Sequence, residues 1–211
     1  MPRAAEAASG TIRTDADEVD LYRVLAHALG LPTEDRYDWL SREDVMAALA
    51  LACERHGVRP GPRARSFARY ADYEASYLSL FEVGLPGPPL PLLESSHHRA
   101  VPAQQIVLDC VNFYAVLGLS HRRSTPADHL VTQLEFLAAA RFAATAAEDP
   151  HVRTGLLRLE RDFLHRHLLS WLPASVARIE KLDPPLFPSL LRLTQAFASG
   201  RAETLGADPQ A

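Results

Sequence analysis

Nine histidines, 26 acidic residues and two cysteines are the side chains with which this chain could do acid–base, nucleophilic or metal chemistry. Their spacing forms no familiar catalytic pattern. HExxH, a Walker phosphate loop, GxGxxG and GxSxG are all absent from the sequence. His165 and His167 are two apart, so on a helix they point to nearly opposite sides and cannot chelate one ion. Asp162 and Arg166 make an ordinary i,i+4 pair. His97 and His98 are adjacent in a proline-rich stretch, and nothing at a sensible spacing supplies a third ligand. Cys53 and Cys110 stand alone, which fits reduced thiols in a cytosol and argues against a thiol zinc site. The expectation is a protein with no metal and no cofactor of its own.

Two stretches carry more information. In Thr125-Pro126-Ala127-Asp128-His129-Leu130, Thr125 reads as an N-cap with Pro126 at the first helical position. Asp128 then falls in the first turn and favours the free N–H groups there, while the positive helix end keeps His129 neutral. A functional use is open beside that local one. Asp128, Thr132 and Glu135 follow at i, i+4 and i+7, so two carboxylates would share a face fit to receive arginines of a partner peptide. In the second stretch, Tyr77, Leu80 and Phe81 precede the segment Pro86 to Pro91. Aromatics beside an extended strand could line a groove for an apolar peptide. Equally, the segment could simply cover the core.

The elements that must position these residues are helical. Apolar residues recur at helical spacing almost throughout, and no alternation suggests a sheet. The pattern predicts a first helix closing at Gly30, and a second from a Ser41–Asp44 capping box to Gly57. A long helix from Arg63 to Val83 follows, then one from Gln104 to Leu117 closed by Gly118. Further helices run from Thr125 to Ala147 and from His151 to Trp171. A short one follows Pro173, and the last runs from Pro188 to Ser199. Between the third and fourth, Leu85 to Pro102 holds five prolines and must run extended over the surface. The fold expected is an all-α single-domain bundle of about eight or nine helices over residues 15–200, with flexible tails at 1–14 and 201–211.

Composition agrees. A chain of 211 residues with 47% apolar and 23% charged residues is an ordinary globule and excludes collagen, coiled-coil and disordered readings. A net charge of −4 with no basic stripe argues against nucleic acid. The longest apolar run, Ile106 to Leu119, is interrupted by Asp109 and Asn112 and is too short for a bilayer. The first 20 residues lack the apolar stretch of a signal peptide, so a cytoplasmic location is expected.

Four stretches in order are familiar together: Tyr77-Leu78-Ser79-Leu80-Phe81-Glu82-Val83-Gly84; Pro91-Leu92-Leu93-Glu94-Ser95-Ser96; Val111-Asn112-Phe113-Tyr114 with Leu117-Gly118-Leu119; and Pro126-Ala127-Asp128-His129-Leu130 with Leu134-Glu135-Phe136. With Asp162 to Leu168 ending at Trp171, they resemble the TorD-like family of redox-enzyme maturation chaperones, which includes the nitrate-reductase delta-type assembly chaperones. The resemblance implies a protein without enzymatic activity. It would bind the apo catalytic subunit of a molybdopterin-dependent oxidoreductase, in some cases through a twin-arginine signal peptide, and hold it for cofactor insertion.

By the same resemblance, Tyr77, Leu80 and Phe81 would form an apolar pocket with Pro126, Asp128 and His129 at its polar edge. Glu94 and Ser95 match a family motif, and Glu135 belongs to the acidic face. Tyr77 stands where some members carry tryptophan, and the His97-His98 pair looks particular to a subgroup serving dehydrogenases and oxyanion reductases. Two rivals stand beside this reading. One is an adaptor binding a partner through Pro86 to Pro91; the other is a metal-dependent hydrolase using His97, His98, His129 and nearby carboxylates.

Overall fold

Helix starts and stops in this chain are set by identifiable caps. The computed structural model describes residues 15–60, 67–120 and 125–207. The Thr33 hydroxyl accepts the Arg36 N–H at 3.2 Å and opens one helix. Asp149 accepts the His151 N–H at 2.8 Å with Pro150 at the first helical position, opening another. Asp183, left-handed at φ 45°, closes a third just before Pro184 and Pro185. Among the described residues nine α-helices follow: α1 (Asp15–Ala28), α2 (Glu34–Ser41), α3 (Glu43–Arg55), α4 (Tyr70–Phe81), α5 (Ala103–Val116), α6 (Leu130–Ala146), α7 (Pro150–Phe163), α8 (Leu169–Leu182) and α9 (Phe187–Ala207). A 3₁₀ turn at Glu94–Ser96 precedes α5, and a π-helical turn at Leu164–Leu168 joins α7 to α8. The all-α expectation holds; the described residues form no strand, only an isolated antiparallel bridge between Leu93 and His129.

Several boundaries differ from the sequence pattern. Ser41 closes α2, an unexpected helix, and Arg42 precedes α3, so the Ser41–Asp44 box does not form. Instead Asp44 pairs with Arg42. Arg69 is extended and α4 begins at Tyr70; the expected start at Arg63 lies outside the described residues, as does the 1–14 tail. The break expected before Pro173 is absent, because the wide π-helical turn loosens the hydrogen-bond ladder just ahead of this missing donor. At the C-terminal side α9 continues to Ala207, past the expected boundary at residue 200. Arg201, Ala202 and Leu205 are buried there, and tertiary burial holds the last turns that propensity alone would fray.

Packing is centred on α6, which lies against α1 and α7 and is apolar nearly all round; α8 lies against α9. Phe187 gathers the rings of Tyr73, Tyr77 and Phe81 with centroids at 6.0, 5.9 and 5.3 Å. Beneath α1 sits a buried charge network. Arg201 of α9 donates to both oxygens of Glu160 of α7 at 2.9 and 3.0 Å, and Glu160 also accepts from Tyr22 at 3.3 Å. Glu18 of α1 pairs with Arg141 of α6 at 2.9 Å and with Arg201 at 3.3 Å. No described helix is long and apolar enough to cross a membrane.

Removing one member of such a network strands an opposite charge in the interior. Arg201→Met is therefore expected to cost about 3–5 kcal/mol. Urea unfolding measures it, as a lowered midpoint with an unchanged slope; a loss within error of zero would show that the network contributes nothing net.

Candidate functional site

The proline-rich stretch does not stay on the surface. Residues 82–87 are exposed, but Leu90, Leu92 and Glu94 are buried, and the backbone is stitched to neighbouring elements. Leu90 N–H donates to Leu80 O at 2.9 Å, and Leu130 N–H to Leu92 O at 2.9 Å. Glu94 N–H reaches Asp128 O at 3.0 Å. This stitching fixes the carboxylate of Glu94 inside the bundle at 2% exposure.

Three elements converge on that carboxylate, and a fourth braces one of them. The Gln133 amide of α6 donates to Oε2 at 2.5 Å, and the Trp171 indole N–H of α8 holds the Gln133 oxygen at 3.3 Å. His167 Nδ1, in the π-helical turn, lies 3.1 and 3.0 Å from the two oxygens. Cys110 of α5 approaches at 3.9 Å. The far His167 nitrogen, Nε2, faces Asp109 at 3.3 Å, and Asp109 is held in turn by Arg166 at 2.6 Å. His97 stacks on Trp171 with centroids 4.8 Å apart and meets Pro91 O at 2.8 Å. Burial, with the Glu94 charge second, pushes the Cys110 thiol well above its usual range. Sequence spacing brought no third ligand near a histidine or a cysteine. In the fold Glu94, Cys110 and His167 meet from three elements, because the π-helical turn and the stitched loop act where no local pattern reports.

Asp128 and His129 take other roles than the sequence pattern assigns. Thr125 does not cap α6, whose N-cap is His129: its Nδ1 accepts the Val131 N–H at 3.2 Å. Residues 126–129 form a turn, with His129 N–H on Pro126 O at 3.2 Å. Asp128 is thus outside the helix, and its carboxylate accepts the Ser95 N–H at 3.0 Å. The two-carboxylate face does not form, since Asp128 is buried while Glu135 is exposed. Burial lowers the proton affinity of His129, against the opposing pull of Asp128, and burial lowers that of His97 too. A neutral ring is what the cap acceptor needs.

The apolar groove expected from Tyr77, Leu80 and Phe81 is closed here. All three are buried, and the Tyr77 hydroxyl donates to Leu29 O at 3.0 Å. They act as core beneath the loop. Of the sequence-selected residues, Glu94, Ser95 and Asp128 come together; Pro126 is exposed at the turn, and Glu135 faces elsewhere. Glu135 lines a different, open cavity of about 270 Å³ with Tyr114, Leu119, Thr125, Val131 and Phe136. Sequence reasoning missed Cys110, Gln133 and His167 as members of the hub; their types are ordinary for core helices.

A single-core helical bundle clasping a loop around an internal polar hub is the class of protein this geometry defines. The chain belongs to the nitrate reductase delta subunit family, whose model matches residues 43–177, from α3 into α8. It is 27% identical over 197 residues to the perchlorate reductase assembly chaperone protein of Dechloromonas aromatica, covering 88% of each chain. Identity is 32% over 204 residues to the dimethyl sulfide dehydrogenase assembly chaperone protein of Rhodovulum sulfidophilum, covering 89% of this chain and 80% of that one. The selenate reductase assembly chaperone protein of Thauera selenatis is 35% identical over 136 residues, 62% of this chain and 70% of its own.

A lowered histidine pKa makes the fold sensitive to acid in a defined direction. Above about pH 6.5 both folded and unfolded forms hold His97 and His129 neutral; as pH falls, the unfolded chain takes up protons first and stability drops. His129→Asn keeps a capping acceptor and removes one contributor, so its decline in acid is expected to be shallower. Urea midpoints measured on both proteins across this range check the prediction, and identical slopes would refute it.

Proposed function

We propose that this protein is an assembly chaperone that binds the catalytic subunit of a molybdopterin-dependent oxidoreductase before its cofactor is inserted, and that it acts by binding alone in the cytoplasm. One observation carries the proposal: relatives matched over most of both chains are named assembly chaperones of perchlorate reductase and dimethyl sulfide dehydrogenase. The burial and pairing of Glu94, Asp128 and His167 support a positioning rather than a reactive use of these groups.

The open cavity beside Glu135 supports a binding mode. It offers aromatic and aliphatic walls from Tyr114, Leu119, Val131 and Phe136 with one exposed carboxylate at hand. That suits a twin-arginine signal, which joins guanidinium groups to an apolar stretch. In this mode Asp128 acts indirectly, through the pose of Ser95, and Pro126 through the turn. A disordered signal loses about 2–5 kcal/mol on ordering, which points to micromolar affinity.

Affinity purification of the tagged protein from its own host, followed by mass spectrometry, tests the proposal. Recovery of a cofactor-free molybdoenzyme catalytic subunit is the expected result. A clean capture with no such subunit, under conditions where these enzymes are made, overturns it and favours an adaptor.

The binding mode has its own test. Glu135→Gln is expected to weaken a twin-arginine peptide by up to about 1 kcal/mol, the range of an exposed charge pair, and to leave the thermal melt unchanged. Isothermal titration at low and high salt measures this, and equal affinities for both proteins would move the peptide elsewhere.

A further inference from the structure

We propose that Glu94, Cys110 and His167 form a binding site for one zinc-class transition-metal ion. Each of the three is buried, and each offers one ligand atom, with all of these within 4.8 Å of one another. His167 Nδ1 is 3.0 Å from Glu94 Oε2 and 3.4 Å from Cys110 Sγ, and Cys110 Sγ is 3.9 Å from Glu94 Oε2. Bond lengths of about 2.0 Å to nitrogen and oxygen and 2.3 Å to sulfur place tetrahedral neighbours roughly 3.3–3.7 Å apart. The three atoms therefore already stand within a few tenths of an ångström of the edges such an ion requires. Mixed nitrogen, sulfur and oxygen donors suit zinc or cobalt and not magnesium or calcium.

The surroundings are those of a metal site's outer shell. A metal-bound imidazole commonly gives its other N–H to a carboxylate, which fixes the ring. His167 Nε2 is buried without a hydrogen bond and lies 3.3 Å from Asp109, which Arg166 anchors, so a small turn of the ring would make that contact. The Glu94 carboxylate is oriented by Gln133, itself held by Trp171. A cavity of about 310 Å³, lined by Glu94, His98, Asp109 and His167, gives an ion a way in from solvent. His98 has its Nε2 3.8 Å from Glu94 Oε1 and 3.1 Å from Ser170 Oγ, so the fourth position is left to a water.

Binding forms bonds to Sγ, Nδ1 and one carboxylate oxygen. The thiol proton of Cys110 leaves to bulk water, the neutral His167 ring ligates through Nδ1 with its single proton on Nε2 towards Asp109, and no group is oxidised or reduced. A dication supplies the charge that replaces the thiol proton, so uptake strengthens as pH rises. The ion would tie together the stitched loop, α5 and the turn between α7 and α8. No reaction is assigned to it.

The test uses the full chain, stripped with a chelator and titrated with cobalt(II). The expected result is a thiolate-to-cobalt band in the near ultraviolet and visible bands of a four-coordinate ion, saturating at one equivalent. Zinc displaces the cobalt, and zinc raises the melting temperature reversibly. Cys110→Ser is expected to abolish the near-ultraviolet band. Asp109→Asn, at the cavity rim, is expected to keep the band and weaken the ion about 10–100-fold. The proposal fails if no thiolate band appears at saturating cobalt, if the band survives in Cys110→Ser, or if zinc leaves the melting temperature unmoved. Should Cys110→Ser not fold, Asp109→Asn decides: affinity equal to that of the parent protein overturns the site.

Discussion

A carboxylate buried in a loop must find donors, and the arrangement of half this molecule follows from meeting that demand for Glu94. The charge cannot be left alone in the interior without a penalty of several kcal/mol. Gln133, His167 and the thiol of Cys110 answer it from α6, the π-helical turn and α5. Two of the surrounding groups are constrained in turn: Gln133 by Trp171, and Asp109, beside the His167 ring, by Arg166. The loop that carries Glu94 is consequently an interior element. Its backbone pairs with Leu80 and Leu130, and its Ser95 N–H is the ligand of Asp128.

That dependence explains why the apolar groove expected from the sequence is filled by the chain's own loop. Tyr77, Leu80 and Phe81 lie under the loop with Phe187, so any peptide engaging them must first displace Leu90 and Leu92. The cavity at Glu135, by contrast, is open without rearrangement.

Much of the fold was legible in the sequence because helices with a single apolar stripe announce themselves by period. The stops at Gly57 and Gly118 were legible too, both at φ 66° where only glycine is unstrained. What was not legible depended on contacts distant in the chain. Thr125 and Pro126 carry every local mark of a helix start, yet the chain turns once more and caps with His129, because Asp128 is needed at Ser95, 33 residues earlier. Cys110 and His167 lie 57 residues apart, and no spacing rule spans that. Nor does a periodic pattern reveal the π-helical turn, whose single extra residue aims His167 inward while the apolar stripe continues on either side.

The charge network beneath α1 has a consequence for the order in which this molecule is built. Glu18 is made early, but its partners Arg141 and Arg201 belong to α6 and α9, far later in the chain. Until α6 and then α9 dock, the first helix holds an acid short of its partners against an incomplete floor. Vectorial synthesis therefore cannot settle α1 as it emerges, because its main packing partner, α6, comes much later and α9 later still.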